Sequence, residues 1–262
     1  MAESTLSLDY TALMNAVAYF LYGKTDSDTL NETEQVVVNR AIQAGYRQFL
    51  YPPAFEGVFA HEWTFLRPVT TIDTVASDAD QDLPDDFGRL IGGFAYAAGA
   101  QVPPVLADVG EGYIRRLRMS MEETGRPKFA AVRIKAGTGT EGQRREVMWY
   151  PTPDDAYTLS YKYEAFTGAL DADNNPYPLG AMKHGETLKA SCLAVADLDV
   201  NDERGARWDD FIRQLAASIQ RDKREGAKFF GHVGSGDQYE SSSVSGMAAY
   251  PYSLTAYGTV IQ

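Results

Sequence analysis

The chain of 262 residues is 44% hydrophobic, 12% aromatic and 23% charged, a globular composition with room for one or two domains, which excludes collagen-like, wholly disordered and disulfide-scaffold classes. Its 24 Lys and Arg against 36 Asp and Glu give a formal charge of −12. That argues against a primary DNA or RNA reader, whose affinity comes from cations displacing counterions from phosphate, but it is compatible with an acidic wall past which DNA slides.

The first element predicted is a helix from Tyr10, with Leu13, Met14, Val17, Phe20 and Leu21 recurring at three and four, Asp9 as N-cap and Gly23 as stop. Asn31 followed by Glu34 has the form of a capping box. The stripe behind it, Val38, Ala41, Ile42, Gly45, Tyr46 and Phe49, predicts a second helix ending at Pro52-Pro53. The period then changes. Trp63 to Ile72, Phe87 to Tyr96, Phe129 to Ile134, Arg145 to Tyr150 and Ala156 to Ala165 are short aromatic or β-branched runs between Pro, Gly and Asp clusters, and predict strands. In the last of them Tyr157, Leu159, Tyr161 and Tyr163 share one face, and Thr158, Ser160, Lys162 and Glu164 the other.

Among these strands Asp108 is placed to cap a helix running to Glu123, with Ile114, Leu117 and Met121 inward. After Pro176 and Pro178 the helical period returns, first through Met182, Leu188, Cys192, Val195 and Ala196, then through Trp208, Phe211, Ile212, Leu215 and Ile219. Helices flanking a β-rich middle imply an α+β fold. Residues 1–54 and 176–225 are expected to form one helical bundle, with 55–175 as an inserted β-rich module carrying one helix. Residues 226–262 hold six Gly and six Ser with no helical period, yet keep Phe229, Phe230, Tyr239, Tyr250, Tyr252 and Tyr257. Aromatic side chains give large contact area at low rotamer cost, so this segment reads as an extended arm lying along another subunit; a frayed or self-docked tail is the alternative.

Signals for chemistry are weak throughout. The single Cys192 cannot close an internal disulfide and falls on an inward stripe, where a free Cys is a small hydrophobe. His61, His184 and His232 have no metal-ligand spacing. Gly137, Gly139 and Gly142 match a dinucleotide loop by letter, but a strand follows them, so a hairpin is expected. Asp73, Asp78, Asp80, Asp82, Asp85 and Asp86 precede Arg89 with no base among them, and read as a solvated acidic loop rather than a calcium loop. Asp85 and Asp86, neighbours on an extended chain, point to opposite faces and cannot converge on a substrate. No catalytic residue, metal or cofactor is expected. Residues 1–10 lack the basic start and apolar run of a signal peptide, so an intracellular site of synthesis is expected. The uncharged run Leu90 to Ala107 is broken by Gly and Pro, so no membrane partner is expected.

Charge is uneven along the chain. From Arg115 to Arg145 nine bases, Arg115, Arg116 and Arg118 among them, face three acids, a local +6 that leaves −18 for the remainder. Such a subunit is suited to head-to-tail association or to an oppositely charged partner; ordinary solvated charges are the alternative.

Three runs, Leu83-Pro84-Asp85-Asp86-Phe87-Gly88-Arg89-Leu90, Gly125-Arg126-Pro127-Lys128-Phe129 and Tyr150-Pro151-Thr152-Pro153-Asp154-Asp155-Ala156-Tyr157-Thr158-Leu159, followed by Asn175-Pro176-Tyr177-Pro178-Leu179, resemble tailed-phage head-to-tail adaptor proteins, including the tail tubular protein A class. The resemblance covers roughly residues 5–225. It implies a structural virion protein in the neck: a ring of twelve copies beneath the portal, bound to the portal protein and the next tail protein, with DNA passing through unbound. C-terminal arms of that family reach along the portal, which would give Phe229, Phe230 and the later tyrosines a partner, with Arg115, Arg116 and Arg118 as further contacts. The acidic-wall argument makes Asp78, Asp80, Asp82, Asp85 and Asp86 candidates for lining the channel. A stopper or tail-completion protein, or a glycan-degrading virion enzyme, are the alternatives.

Overall fold

The computed structural model describes residues 6–54, 60–97, 100, 102–107, 109–137 and 142–226. Among these residues the fold is α+β, with five α-helices and two three-stranded antiparallel sheets. Contacts divide the described residues into two units, one of residues 6–66 and 167–226, the other within Arg67–Phe166. No helix among the described residues is long and apolar enough to cross a membrane.

The first unit is the helical one. Helix α1, Tyr10–Tyr22, starts where the Asp9 carboxylate accepts from the Ala12 amide at 2.7 Å and stops at Gly23 with φ +70°, a left-handed C-cap that costs glycine little. Helix α2, Glu32–Leu50, opens with the full Asn31/Glu34 capping box. Helices α4, Ala181–Asn201, and α5, Ala206–Gly226, complete the bundle, and Leu13, Val17, Val38, Ile42, Phe49, Leu188, Phe211 and Leu215 form its core. Met182, in the first turn of α4, lies on the predicted helix and is half exposed.

Helices α2 and α4 meet closely because their facing residues are small. A Cβ on Gly45 would lie 2.5 Å from the Cys192 Cα and 2.7 Å from its amide nitrogen. Gly45→Ala must therefore push two helix backbones apart, and an expected loss of about 1–3 kcal/mol would appear as a lower urea midpoint at unchanged m.

The run expected as a strand from Trp63 to Ile72 divides instead. Trp63 and Leu66 are buried in the bundle core around the short 3₁₀ turn Thr64–Leu66, and strand β1 is only Val69–Asp73. Large residues at Trp63, Phe65 and Leu66 satisfy either period over so short a run, and burial against Phe49 decides it.

In the second unit β1 and β3 (Phe87–Tyr96) flank β6 (Thr158–Ala165), while β2 (Asp80–Asp82) and β4 (Phe129–Ile134) flank β5 (Arg145–Tyr150). Strand β6 alternates as its sequence requires, with Leu159, Tyr161, Tyr163 and Ala165 buried. The two sheets share one core, in which Phe94, Leu159 and Tyr161 meet Ala130, Val147 and Trp149. Helix α3, Glu111–Ser120, covers the opposite face of β4 and β5, where Ile114 packs with Ala131, Met148 and Tyr150. Strand β5 is thus covered on both faces, which is why Val147-Met148-Trp149-Tyr150 is one apolar run.

Helix α3 is shorter than its sequence predicts. It begins after Gly110, Asp108 lies outside the described residues, and Met121 sits past its end, exposed. Strands β4 and β5 pair antiparallel from Ile134 opposite Arg145, so Gly137 to Gly142 join adjacent strands rather than leading into a helix, and the context of a dinucleotide loop is missing. Gly139 itself lies outside the described residues.

Candidate interaction site

Four of the bases between Arg115 and Arg145 meet three acids of residues 73–86 in space. Asp80, on β2, is the hub: its carboxylate pairs with Arg118 at 2.9 Å and with Arg133 at 3.3 Å. Arg133 also pairs with Glu146 at 2.6 Å and with Glu111 at 3.7 Å, and the Glu146 hydrogen bond holds its guanidinium further above the ordinary arginine range. Lys135 pairs with Asp82 at 2.7 Å, and Arg144 with Asp85 at 3.4 Å. Arg118 donates further to the carbonyls of Ala79 at 2.7 Å and Trp149 at 2.9 Å. It is a tie within the unit, binding α3 to β5 and to the residue before β2.

The remaining candidates are placed less centrally. Arg115 pairs with Glu111 one turn earlier on α3, and Arg116 lies over the Tyr113 ring. The Asp78 carboxylate accepts from the Asp80 amide at 3.3 Å, and Asp86 accepts from the Tyr163 hydroxyl at 2.9 Å. Asp85 and Asp86 therefore serve different partners, Arg144 and Tyr163, and do not form the convergent carboxylate pair that glycan hydrolysis needs.

The charge asymmetry of the linear sequence shrinks on folding. Residues 67–166 carry 12 bases and 15 acids, a net of −3, whereas residues 1–66 with 167–228 carry 12 and 19, a net of −7. Most of the acidic excess belongs to the helical unit, not to the Asp-rich stretch that drew attention in the sequence.

The four motif runs turn out to be joints. The Phe87 amide donates to the Pro84 carbonyl in the turn before β3, and Leu83 and Phe87 are buried beneath it. The Gly125 amide donates to Thr152, and Lys128 to Tyr150, which ties the second run to the third. The Thr74 hydroxyl donates to the Asp155 carbonyl and accepts from the Tyr157 amide. Ahead of the fourth run, the Asp171 carboxylate accepts from the amides of Asp173, Asn174 and Asn175, and these bonds, Asn174 foremost, hold its pKa below the usual carboxylate range. The fourth run then reaches the bundle, where Tyr10 donates to the Pro176 carbonyl and Leu179 to the Tyr46 hydroxyl.

The family model described as SU10 adaptor protein matches residues 8–233. The chain belongs to this family of phage head-to-tail adaptors. No curated protein matches it. Membership makes this adaptor a structural component of a phage virion, with binding to other neck components as its general role. Among the C-terminal candidates only Phe229 and Phe230 fall within the matched span; Tyr239, Tyr250, Tyr252 and Tyr257 lie beyond it. All six are outside the described residues.

The adaptor's buried polar centre was missed from sequence. Asp222 of α5, 1% exposed, accepts from His61 Nε2 at 2.8 Å, the Thr64 amide at 3.1 Å and the Thr64 hydroxyl at 2.5 Å. Burial alone would raise its pKa, but the His61 and Thr64 hydrogen bonds outweigh this and hold it below the usual carboxylate range. Only the polar spacing of α5 hinted at it, and the partners lie about 160 residues away in sequence. A lowered folded pKa means stabilisation that is present above the unfolded value of about 3.9 and lost as pH falls through the folded value. Asp222→Asn should cost about 1.5–3 kcal/mol at neutral pH, and the difference in urea midpoint between variant and wild type should begin to narrow as pH falls below about 4.

Proposed function

We propose that the adaptor forms a ring of twelve copies beneath the portal, joins capsid to tail at the neck, and lines the channel through which packaged DNA passes. The observation that carries this reading is the family match over residues 8–233. A ring needs heterologous contacts that close, so each subunit must present two different complementary surfaces. Both units are net acidic, at −7 and −3, so complementarity between copies would have to come from local patches such as the exposed Arg115 and Arg116 of α3. The same acidity suits a channel, since DNA gains nothing from walls that release no counterions.

Asp78, Asp80, Asp82, Asp85 and Asp86 remain the channel candidates among the loops. With Asp80, Asp82 and Asp85 paired to bases, however, the field they project is small, and the acidic helical unit contributes more. Of the arginine contacts proposed for portal or neighbour, Arg115 and Arg116 are at the surface of α3, while Arg118 acts inside the unit. The aromatic residues from Phe229 to Tyr257 grip a partner. Co-elution of the full chain with the portal protein encoded in the same genome tests this reading. A joint complex that persists as salt is raised is expected, and separate elution at every salt concentration would contradict it.

A further inference from the structure

The β unit carries an apolar recess of about 450 Å³ whose walls include Tyr96, Val102, Pro103, Pro104, Leu106 and Phe129. Its volume falls within the range of roughly 300–1,000 Å³ typical of ligand clefts. Its sequence signal was hidden in the run Leu90 to Ala107, where prolines read only as helix breakers.

The walls are fixed before anything binds. Val105 donates to Phe94, Leu106 to Lys128 and Ala130 to Leu106 through the main chain, at 2.9, 3.0 and 2.8 Å. The Tyr96 hydroxyl donates to the Pro127 carbonyl at 2.7 Å. A preformed cleft saves the ordering cost that otherwise weakens peptide binding. Arg126 and Lys128 also line it, both exposed, so cations stand beside proline and aromatic surface.

Such a lining selects an uncharged segment with rings and proline. Aromatic faces lie favourably under cations, and a Pro-containing extended strand packs on Pro and Tyr with little rotamer loss. The C-terminal segment of the chain has this chemistry. Residues 241–262 have no charged side chain and include Tyr250-Pro251-Tyr252 and Tyr257. Between Gly226 and Tyr250 lie 23 residues, rich in Gly and Ser. Fully extended they reach about 80 Å, several times the roughly 13 Å radius of gyration of a 100-residue unit. A spacer of that length is long enough to reach another subunit.

We propose that this recess receives the Tyr250–Tyr257 segment of a neighbouring copy, so that each subunit is strapped to the next. The inference rests on the adaptor reading, in which copies sit side by side, and goes beyond it in naming the seat of the arm. The test uses the full chain with a photoreactive benzoylphenylalanine in place of Tyr252, prepared as heavy- and light-isotope copies mixed equally and assembled on the portal protein. Irradiation should link the arm of one isotope to residues 102–106 or 126–129 of the other. Val102→Asp with Pro104→Asp, at partly exposed positions, should reduce that link by about tenfold, since a charge placed in the cleft opposes apolar contact. An unchanged melting temperature separates this from misfolding. Links to the portal, within one copy, to other surfaces, or insensitive to the double variant would overturn the strap while leaving the adaptor reading intact. Failure to assemble on the portal would overturn both.

Discussion

Trp63→Ala should cost about 3–5 kcal/mol of stability in the helical unit. Trp63 is fully buried, its ring lies 5.0 Å from Phe49, 5.2 Å from Phe65 and 5.1 Å from His184, and its indole donates to the Phe49 carbonyl at 2.9 Å. Truncation removes the ring, strands that carbonyl and leaves a cavity that neighbouring rings fill only in part. At about 2–4 °C per kcal/mol for a protein of this size, the melting temperature should fall by roughly 10 °C. Trp208→Ala is the control: Trp208 is only partly buried against the same core, so its loss should be clearly smaller. A Trp63→Ala shift under about 1 kcal/mol would mean that residues 60–66 do not belong to the bundle.

Ending the chain at Gly226 should do the reverse, leaving the melting temperature within about 1 °C while abolishing assembly on the portal. Among the described residues the buried apolar clusters of both units are built from positions up to Ile219, so the folding equilibrium is expected to lose little. Binding loses six aromatic side chains, from Phe229 to Tyr257, and aromatic anchors carry a large share of interface energy. Calorimetry of the truncated chain, together with its co-elution with the portal, checks both halves. Full assembly by the truncated chain would contradict the role given to the arm.

These two predictions differ in how far the sequence foretold them. The arm's chemistry was legible in its composition. Trp63 was not, because Trp63, Phe65 and Leu66 fit a strand as well as a turn until the burial partner Phe49 is known. Helices α1 and α2 were legible at their starts because caps are local: Asp9 and Asn31 each need only the next three residues. Strands β3, β4 and β5 have the limits their runs predicted, whereas β2 could not be found, since Asp80-Gln81-Asp82 has no strand signal and is a strand only because it pairs with β5.

The candidate interaction surface was legible as charge but not as arrangement. A local +6 and a run of acids were each visible, yet only tertiary pairing of Asp80 with Arg118 and Arg133 reveals that they offset one another. Linear charge blocks measure field only where the chain stays extended; once strands bring residues 80 and 133 together, the block loses most of its reach.

Electron microscopy of the full chain mixed with the portal protein from the same genome, with each component alone as control, tests the proposed ring beneath the portal. The expected result is an added layer of density at one end of the portal, with twelve-fold symmetry and an acidic lumen. A portal without an added layer, or a lumen lined by the arginines of residues 115–145, would contradict it.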